Sequence, residues 1–141
     1  MMNKAIYLVL LAVVTAFARS PSWAGCLEYE PAEVELHGKL TRAIFPGLPN
    51  FEDVKKGDNP DVAWVLQLPN PICVNAKQND SLNEAAKDIK TVQLVILGEG
   101  MKRYKALIGK KVVVKGGLFH GHTGHHHTEV LLTVKDIVQI H

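Results

Sequence analysis

The sequence contains few aromatic residues and no large excess of either charge. Aromatic side chains make up 6% of the 141 residues, and 16 Lys and Arg stand against 14 Asp and Glu. Proteins that bind single-stranded nucleic acid present a basic groove with exposed aromatic rings, so this composition disfavours that class. Apolar residues account for 47% of the chain. That fraction argues against general disorder and, at this length, indicates one domain with one core.

Motifs of familiar enzyme classes are also missing. The chain has no HExxH zinc-protease motif and no glycine-rich phosphate loop. Ser81 is the only serine after residue 24 and lies far in sequence from most of the histidines, which disfavours a serine triad. A metal-dependent hydrolase needs a general base beside its metal, and Glu129 is the only obvious candidate. We therefore expect a binding protein rather than an enzyme.

Only one long apolar run is present, and it lies at the N-terminus. Residues 5–18 follow Lys4 without an internal charge, and small residues at 22 and 24 form a cleavage pattern. The run is shorter than the about 20 residues that a membrane-spanning helix needs. We expect residues 1–24 to be a cleaved signal peptide and residues 25–141 to form a single periplasmic or secreted domain without a membrane span. A retained anchor is the alternative.

The chain has two cysteines, Cys26 and Cys73, and both follow the predicted cleavage site. In an oxidising compartment, two cysteines without competitors most simply form one disulfide. This bond would tie the N-terminus of the mature chain to its middle and would leave no thiolate for catalysis. Lipidation of Cys26, or two free thiols, are the alternatives; Trp23 stands where lipoprotein sites favour Leu.

Five segments have the alternation and β-branched content of strands. They cover residues 33–41, 62–68, 91–97, 112–119 and 128–140. Between the third and fourth, residues 99–108 carry apolar side chains at helical spacing and end before Gly109. Ser81 with Glu84 fits a capping box, so that segment is either a short helix or a polar loop.

This order of elements predicts a mainly β fold, an OB-like five-stranded barrel with one helix between strands 3 and 4. In such barrels, ligands bind at the face of strands 2 and 3 and at the loops between strands 1–2 and 4–5. A sandwich with the same strands is the alternative. The first of these loops, residues 46–61, is long for a compact domain and offers Leu48, Phe51 and Val54 as apolar anchors for a protein partner.

The chain after residue 25 resembles an uncharacterised family of exported bacterial proteins, one of those catalogued as a domain of unknown function. The segments that carry the resemblance are FPG at 45–47, PNFE at 49–52, PICV at 71–74, GLFH at 117–120, HTGHHHT at 122–128 and VLL at 130–132. The resemblance covers nearly all of residues 26–140. It implies an exported, OB-like domain and assigns no residue a role.

Five of the seven histidines lie between residues 120 and 127. If Thr123 and Gly124 form the two-residue tip of a hairpin, His122 faces His125 and His120 faces His127. Alternation then places these four imidazoles on one face of the hairpin and His126 on the other. Three or four converging imidazoles would bind a divalent transition metal such as Zn, Cu or Ni. Imidazoles that merely hold the turn, or a surface for a protein partner, are the alternatives.

These observations lead to two hypotheses about function. The first is a small exported module that binds a divalent transition metal through the histidine hairpin. The second is a periplasmic interaction or inhibitor domain that uses the 46–61 loop and the hairpin as its surface. Neither hypothesis involves nucleic acid.

Overall fold

The computed structural model describes residues 25–141, and the predicted signal peptide, residues 1–24, lies outside them. A short helix, α1 (Gly100–Tyr104), and two 3-10 turns (Val54–Lys56 and Lys105–Leu107) interrupt a set of strands. The described strands are β1 (Val34–Pro46), β2 (Pro60–Val74), β3 (Ala86–Val95), β4 (Lys111–His120) and β5 (Val130–Gln139).

The strands form one closed barrel in the order β1-β2-β3-β5-β4, with β4 pairing back onto β1. All neighbours are antiparallel except β3 and β5, which run parallel. Closure leaves no long unpaired edge, which removes the usual route to edge-to-edge association. The predicted OB-like five-stranded barrel with a helix between strands 3 and 4 is confirmed, and the sandwich alternative is wrong.

The interior of the barrel is filled by aliphatic side chains that the strand register stacks against one another. Leu40 of β1 lies opposite Leu66 of β2, which lies opposite Val92 of β3, and all three are fully buried. Leu118, Val130 and Leu132 of β4 and β5 join the same cluster. β-branched and aliphatic residues dominate because they pack well on a pleated, curved surface.

A second, smaller set of buried apolar side chains lies on the outer face of the sheet. Ala63, Val65 and Leu131 are buried, although none belongs to the interior cluster. In the register, Val65 lies opposite Gln93 and Gln93 opposite Leu131, so these side chains share the face that points away from the interior. We call Ala63, Val65 and Leu131 the outer patch. A segment outside the sheet must cover it.

Some element boundaries differ from those that the sequence predicts. The strands β1 and β2 are longer, so the loop between them contains residues 47–59 rather than 46–61. The predicted helix 99–108 is divided into α1 and a 3-10 turn, and Glu99 provides no side-chain cap at its N-terminus. The segment at Ser81 forms turns rather than a helix, and the Asp80 carboxylate accepts the backbone N–H of Leu82 there.

A disulfide joins Cys26 to Cys73, as predicted, and the described residues contain no free cysteine. The adjacent backbone supports it: Leu27 forms a parallel bridge with Val74, and its N–H donates to the Cys73 carbonyl at 2.8 Å. The N-terminal segment is thereby fixed to the end of β2. A disulfide is compatible with export to an oxidising compartment. Within residues 25–141, no helix has the length and apolar content to cross a membrane.

Candidate functional site

The connection between β4 and β5 is a nine-residue loop, residues 121–129, which we call the histidine loop. The strand ladder ends at the pair His120–Val130, and the Gly121 N–H donates to the Glu129 carbonyl at 2.8 Å. The predicted two-residue tip is therefore wrong: His120 faces Val130 rather than His127, and His122 does not pair with His125. Thr123 and Gly124 instead belong to a turn inside the loop, closed by the His126 N–H donating to the Thr123 carbonyl.

Three of the five imidazoles, those of His120, His122 and His126, contact residues of β4 and the histidine loop. His120 Nδ1 is 3.0 Å from the Gly121 carbonyl, and its Nε2 is 3.8 Å from a Glu129 carboxylate oxygen. The rings of His122 and His126 stand 4.7 Å apart, edge to face, and both lie against the Phe119 ring. Burial, with a smaller contribution from the neighbouring histidines, lowers the pKa of His126 below its ordinary value.

The other two imidazoles converge on a single carboxylate from another element. Asp61 lies near the start of β2, and its Oδ2 is 3.1 Å from His125 Nδ1 and 2.7 Å from His127 Nε2. These hydrogen bonds, that from His125 first, lower the pKa of the Asp61 carboxyl. The His127 side chain is 7% exposed and stacks on Phe45 at 4.5 Å, whereas the His125 side chain is 70% exposed. We call Asp61, His125 and His127 the Asp61 cluster.

Gln93, near the C-terminal end of β3, holds the histidine loop against the sheet. Its side-chain amide donates to the His125 carbonyl at 2.9 Å and accepts the His127 N–H at 2.6 Å, while its own backbone N–H donates to Thr128 Oγ1. A primary amide can satisfy both a backbone donor and a backbone acceptor, as a neighbouring strand would. Because Gln93 shares a face with Val65 and Leu131, the loop that it holds is the segment that lies over the outer patch.

The β1–β2 loop, residues 47–59, contacts the histidine loop through Phe51. The Phe51 ring lies edge to face with His125 at 5.6 Å and so close to Gly124 that a Cβ there would stand 2.9 Å from it. Glycine at 124 is thus what permits this approach. The side chains of Leu48 and Val54 are exposed. Of the three predicted anchors, Phe51 joins the two loops, and Leu48 and Val54 remain available at the surface.

Asp58 holds the β1–β2 loop in shape. Its two carboxylate oxygens accept the backbone N–H groups of Asn50, Glu52 and Asp53 at 2.7–2.9 Å. These three bonds, that from Glu52 first, lower the pKa of the Asp58 carboxyl. A loop of this length would otherwise leave the same N–H groups to solvent, so Asp58 is the local organiser of the segment that carries Leu48 and Val54.

The histidine loop borders a groove of about 350 Å³ beside β2 and β3, which is lined among others by Asp61, Val62, Met101, His125 and His126. Its walls are mainly apolar, and the Asp61 carboxylate and the imidazoles of His125 and His126 are its polar groups beside the histidine loop. Within residues 25–141, no three His, Cys, Asp or Glu side chains are already arranged to hold a metal ion. The predicted four-histidine face is therefore not formed as such.

The sequence alone does not indicate that Asp61 and Gln93 belong to the site. Asp61 is the last residue of the predicted 46–61 loop, and Gln93 lies within the predicted strand 91–97. Gln93 carries one visible signal, a polar side chain in the middle of the apolar run TVQLVIL. The signal for Asp61 is absent from the local sequence, because its partners lie 64 and 66 positions away.

Comparison with known proteins gives a family match for the second half of the domain. Residues 91–138 match the model of a domain of unknown function, DUF4431. This segment runs from β3 through α1 and β4 to β5 and contains the whole histidine loop. The resemblance to an uncharacterised domain family is thereby confirmed for this segment. No curated protein matches the chain.

Replacing Gln93 with Leu should release the histidine loop. The substitution keeps a similar volume but leaves the His127 N–H and the His125 carbonyl without their partner, which costs about 1–3 kcal/mol. We expect lower stability in urea unfolding and faster amide hydrogen exchange within residues 121–129. Gln67→Leu, at an exposed position of β2, is the matched control. Equal exchange rates in the loop of wild type and Gln93→Leu would contradict this role.

Asp58 should make the stability of the protein depend on pH in the acidic range. Because its pKa is lower in the folded chain than in the unfolded chain, its contribution is fully present above the unfolded value, near 3.9, and is lost as the pH falls through the folded value. Urea unfolding between pH 6 and 2 should show a shallower acid loss in Asp58→Asn than in wild type. An unchanged slope would show that the three N–H bonds do not matter energetically.

Proposed function

We propose that this chain is an exported binding module that takes up a divalent transition metal through its histidine loop. Three features support this proposal: the signal-type leader and the disulfide of an exported protein, a loop with several imidazoles, and a rigid barrel that presents that loop. The absence of familiar catalytic motifs favours binding over catalysis.

The observation that carries the proposal is the ring tautomer that backbone carbonyls impose on two imidazoles, one at the end of β4 and one in the histidine loop. His120 Nδ1 lies 3.0 Å from the Gly121 carbonyl, and His122 Nδ1 lies 3.0 Å from the His120 carbonyl. A carbonyl oxygen only accepts hydrogen bonds, so in each neutral ring the proton is on Nδ1 and Nε2 carries the lone pair. Metal-binding histidines use this arrangement, in which a hydrogen bond at one nitrogen orients the other for the metal.

Metal titration of the mature chain tests this function. Residues 25–141, purified without an affinity tag, are titrated with Zn, Ni and Cu(II) by calorimetry. We expect one metal per chain, with the affinity at least about tenfold lower when His120, His122, His125 and His127 are all replaced by Ala. His37→Ala, which removes an imidazole from β1 outside the loop, is the control and should bind as wild type does. Thermal melts establish that each variant is folded.

Absence of binding by wild type, or equal affinity in the quadruple variant, would overturn the proposal. Added histidines would mimic the feature under test, so the tag must be absent rather than merely masked.

A protein-interaction role is the second candidate, and the junction of the two loops favours it. Phe51 joins the β1–β2 loop to the histidine loop, so they form a continuous surface on which Leu48 and Val54 are exposed. Exposed aliphatic side chains on a loop that is held rigidly, here by Asp58, suit the anchors of a protein interface.

This second function predicts a periplasmic partner that binds without metal. Pull-down from periplasmic extract with wild-type protein, with and without chelator, should recover the same partner in both cases. The variant Leu48→Asp/Val54→Asp should lose it, because charged side chains replace the apolar anchors. A partner that disappears with chelator, or that persists in this variant, would contradict the loop-anchor model.

A further inference from the structure

We propose that the end of the barrel at which β4 begins docks onto the surface of an anionic phospholipid bilayer. Four exposed lysines form the centre of this surface, which we call the lysine patch: Lys39 of β1, Lys105 and Lys110 of the segment before β4, and Lys111, the first residue of β4. The length of β4, about 30 Å along the strand, separates the patch from the histidine loop. The inference goes beyond the proposed function and does not depend on it.

The cations at this end come from two stretches of sequence that contain no acid. Residues 102–111 contain five Lys and Arg, and residues 36–51 contain two, with no Asp or Glu in either stretch. The β1–β4 pairing brings the two stretches together, because Lys39 lies directly opposite Lys111 and the Leu40 N–H donates to the Lys110 carbonyl at 3.0 Å. The chain is nearly balanced in charge overall, so this local excess of cations directs its positive field to one end.

The lysines of the patch have no carboxylate partner, in contrast to a lysine further along the same pair of strands. Lys115 of β4 lies opposite Glu35 of β1, and the two side chains form an ion pair at 3.0 Å. None of the ion pairs within residues 25–141 includes a member of the lysine patch. Like charges directly opposite each other on neighbouring strands are destabilising. The fold therefore gains nothing from placing Lys39 opposite Lys111, and anions bound beside the two ammonium groups would offset their repulsion.

Exposed aliphatic side chains adjoin the lysines and favour a bilayer over a soluble anion. The Val138 residue is 56% exposed and Ile140 is 38% exposed. The Ile140 N–H donates to the Lys111 carbonyl, and Val138 lies opposite Val113, two residues along β4 from Lys111. Residues two apart in a strand share a face, so Lys111 and Val138 are on the same outer side of the sheet. Cations beside aliphatic groups suit a lipid interface, where the cations meet headgroup phosphates and the aliphatic groups enter the headgroup boundary.

Vesicle co-sedimentation tests the proposal with tag-free residues 25–141 and vesicles made of equal parts of phosphatidylglycerol and phosphatidylcholine. We expect wild type to bind at about 0.05 M NaCl and to be released at about 0.5 M NaCl, because salt screens the attraction. The variant Lys39→Gln/Lys111→Gln should bind about tenfold or more weakly, since each lysine beside an anionic bilayer contributes to binding. The matched control, Lys55→Gln/Lys56→Gln, removes the same charge from the 3-10 turn of the β1–β2 loop and should bind within about twofold of wild type.

A further variant, Val138→Ser, separates a bilayer from a soluble anion. It leaves the charge of the chain unchanged and removes one of the aliphatic groups beside the lysines. We expect it to bind the vesicles at least about threefold more weakly than wild type, because that group no longer enters the headgroup boundary. Inorganic phosphate and a single-stranded oligonucleotide, each titrated into wild type, are the soluble anions for comparison.

Several outcomes would overturn the proposal. It fails if wild type does not bind the anionic vesicles, or if the Lys39/Lys111 variant binds them as well as wild type does. It also fails if the control variant is weakened as much, because the effect is then one of net charge. If a soluble anion binds with the same dependence on the two lysines and Val138→Ser binds vesicles as wild type does, the patch serves soluble anions instead. Trp64, the only tryptophan of residues 25–141, reports by its fluorescence that each variant retains the barrel core.

Discussion

The parallel pairing of β3 with β5 determines where the histidine loop can lie. Gln93 is opposite Leu131, so the residues that lead into β5 must run beside the C-terminal half of β3. An antiparallel hairpin of β4 and β5 alone would have projected its tip into solvent. In the closed barrel, the loop instead lies across the outer face. There the Gln93 side chain forms hydrogen bonds with the backbone of the loop, and the Asp61 carboxylate forms hydrogen bonds with two of its imidazoles.

Apolar contact and polar contact have different roles in holding this loop. Burial of Val65 and Leu131 beneath it contributes about 1.5–3 kcal/mol for each side chain, whereas partly exposed charged pairs contribute about 1 kcal/mol or less. The outer patch therefore supplies most of the stability of the covered state. The polar groups instead fix the position of the loop along β3, because the Gln93 amide can bond to the loop backbone in only one alignment of donor and acceptor. Stability and position thus come from different residues on the same face.

The sequence predicts the five strands, their order and the disulfide, because alternation, β-branched residues and an isolated cysteine pair are local or nearly unambiguous signals. It fails at the histidine loop, because a Thr-Gly tip predicts a ladder that ends at His122–His125, whereas the observed ladder ends at His120–Val130. The partners of this loop are in β2 and β3, far along the chain. Local hydrophobic periodicity does not predict contacts between residues so far apart in the chain, and these contacts form only when the barrel closes.

The choice between Glu129 and Asp61 illustrates the same limit and bears on the chemistry. Sequence proximity favours Glu129, yet it reaches only His120, at 3.8 Å, whereas Asp61 contacts two imidazoles within 3.1 Å. A site made only of loop residues would depend on the conformation of the loop and not on its position against the barrel. Because Asp61 belongs to β2, its hydrogen bonds to His125 and His127 join the histidine loop to a strand far away along the chain. A ligand that bound only the arrangement in which the loop covers the outer face would therefore stabilise that arrangement.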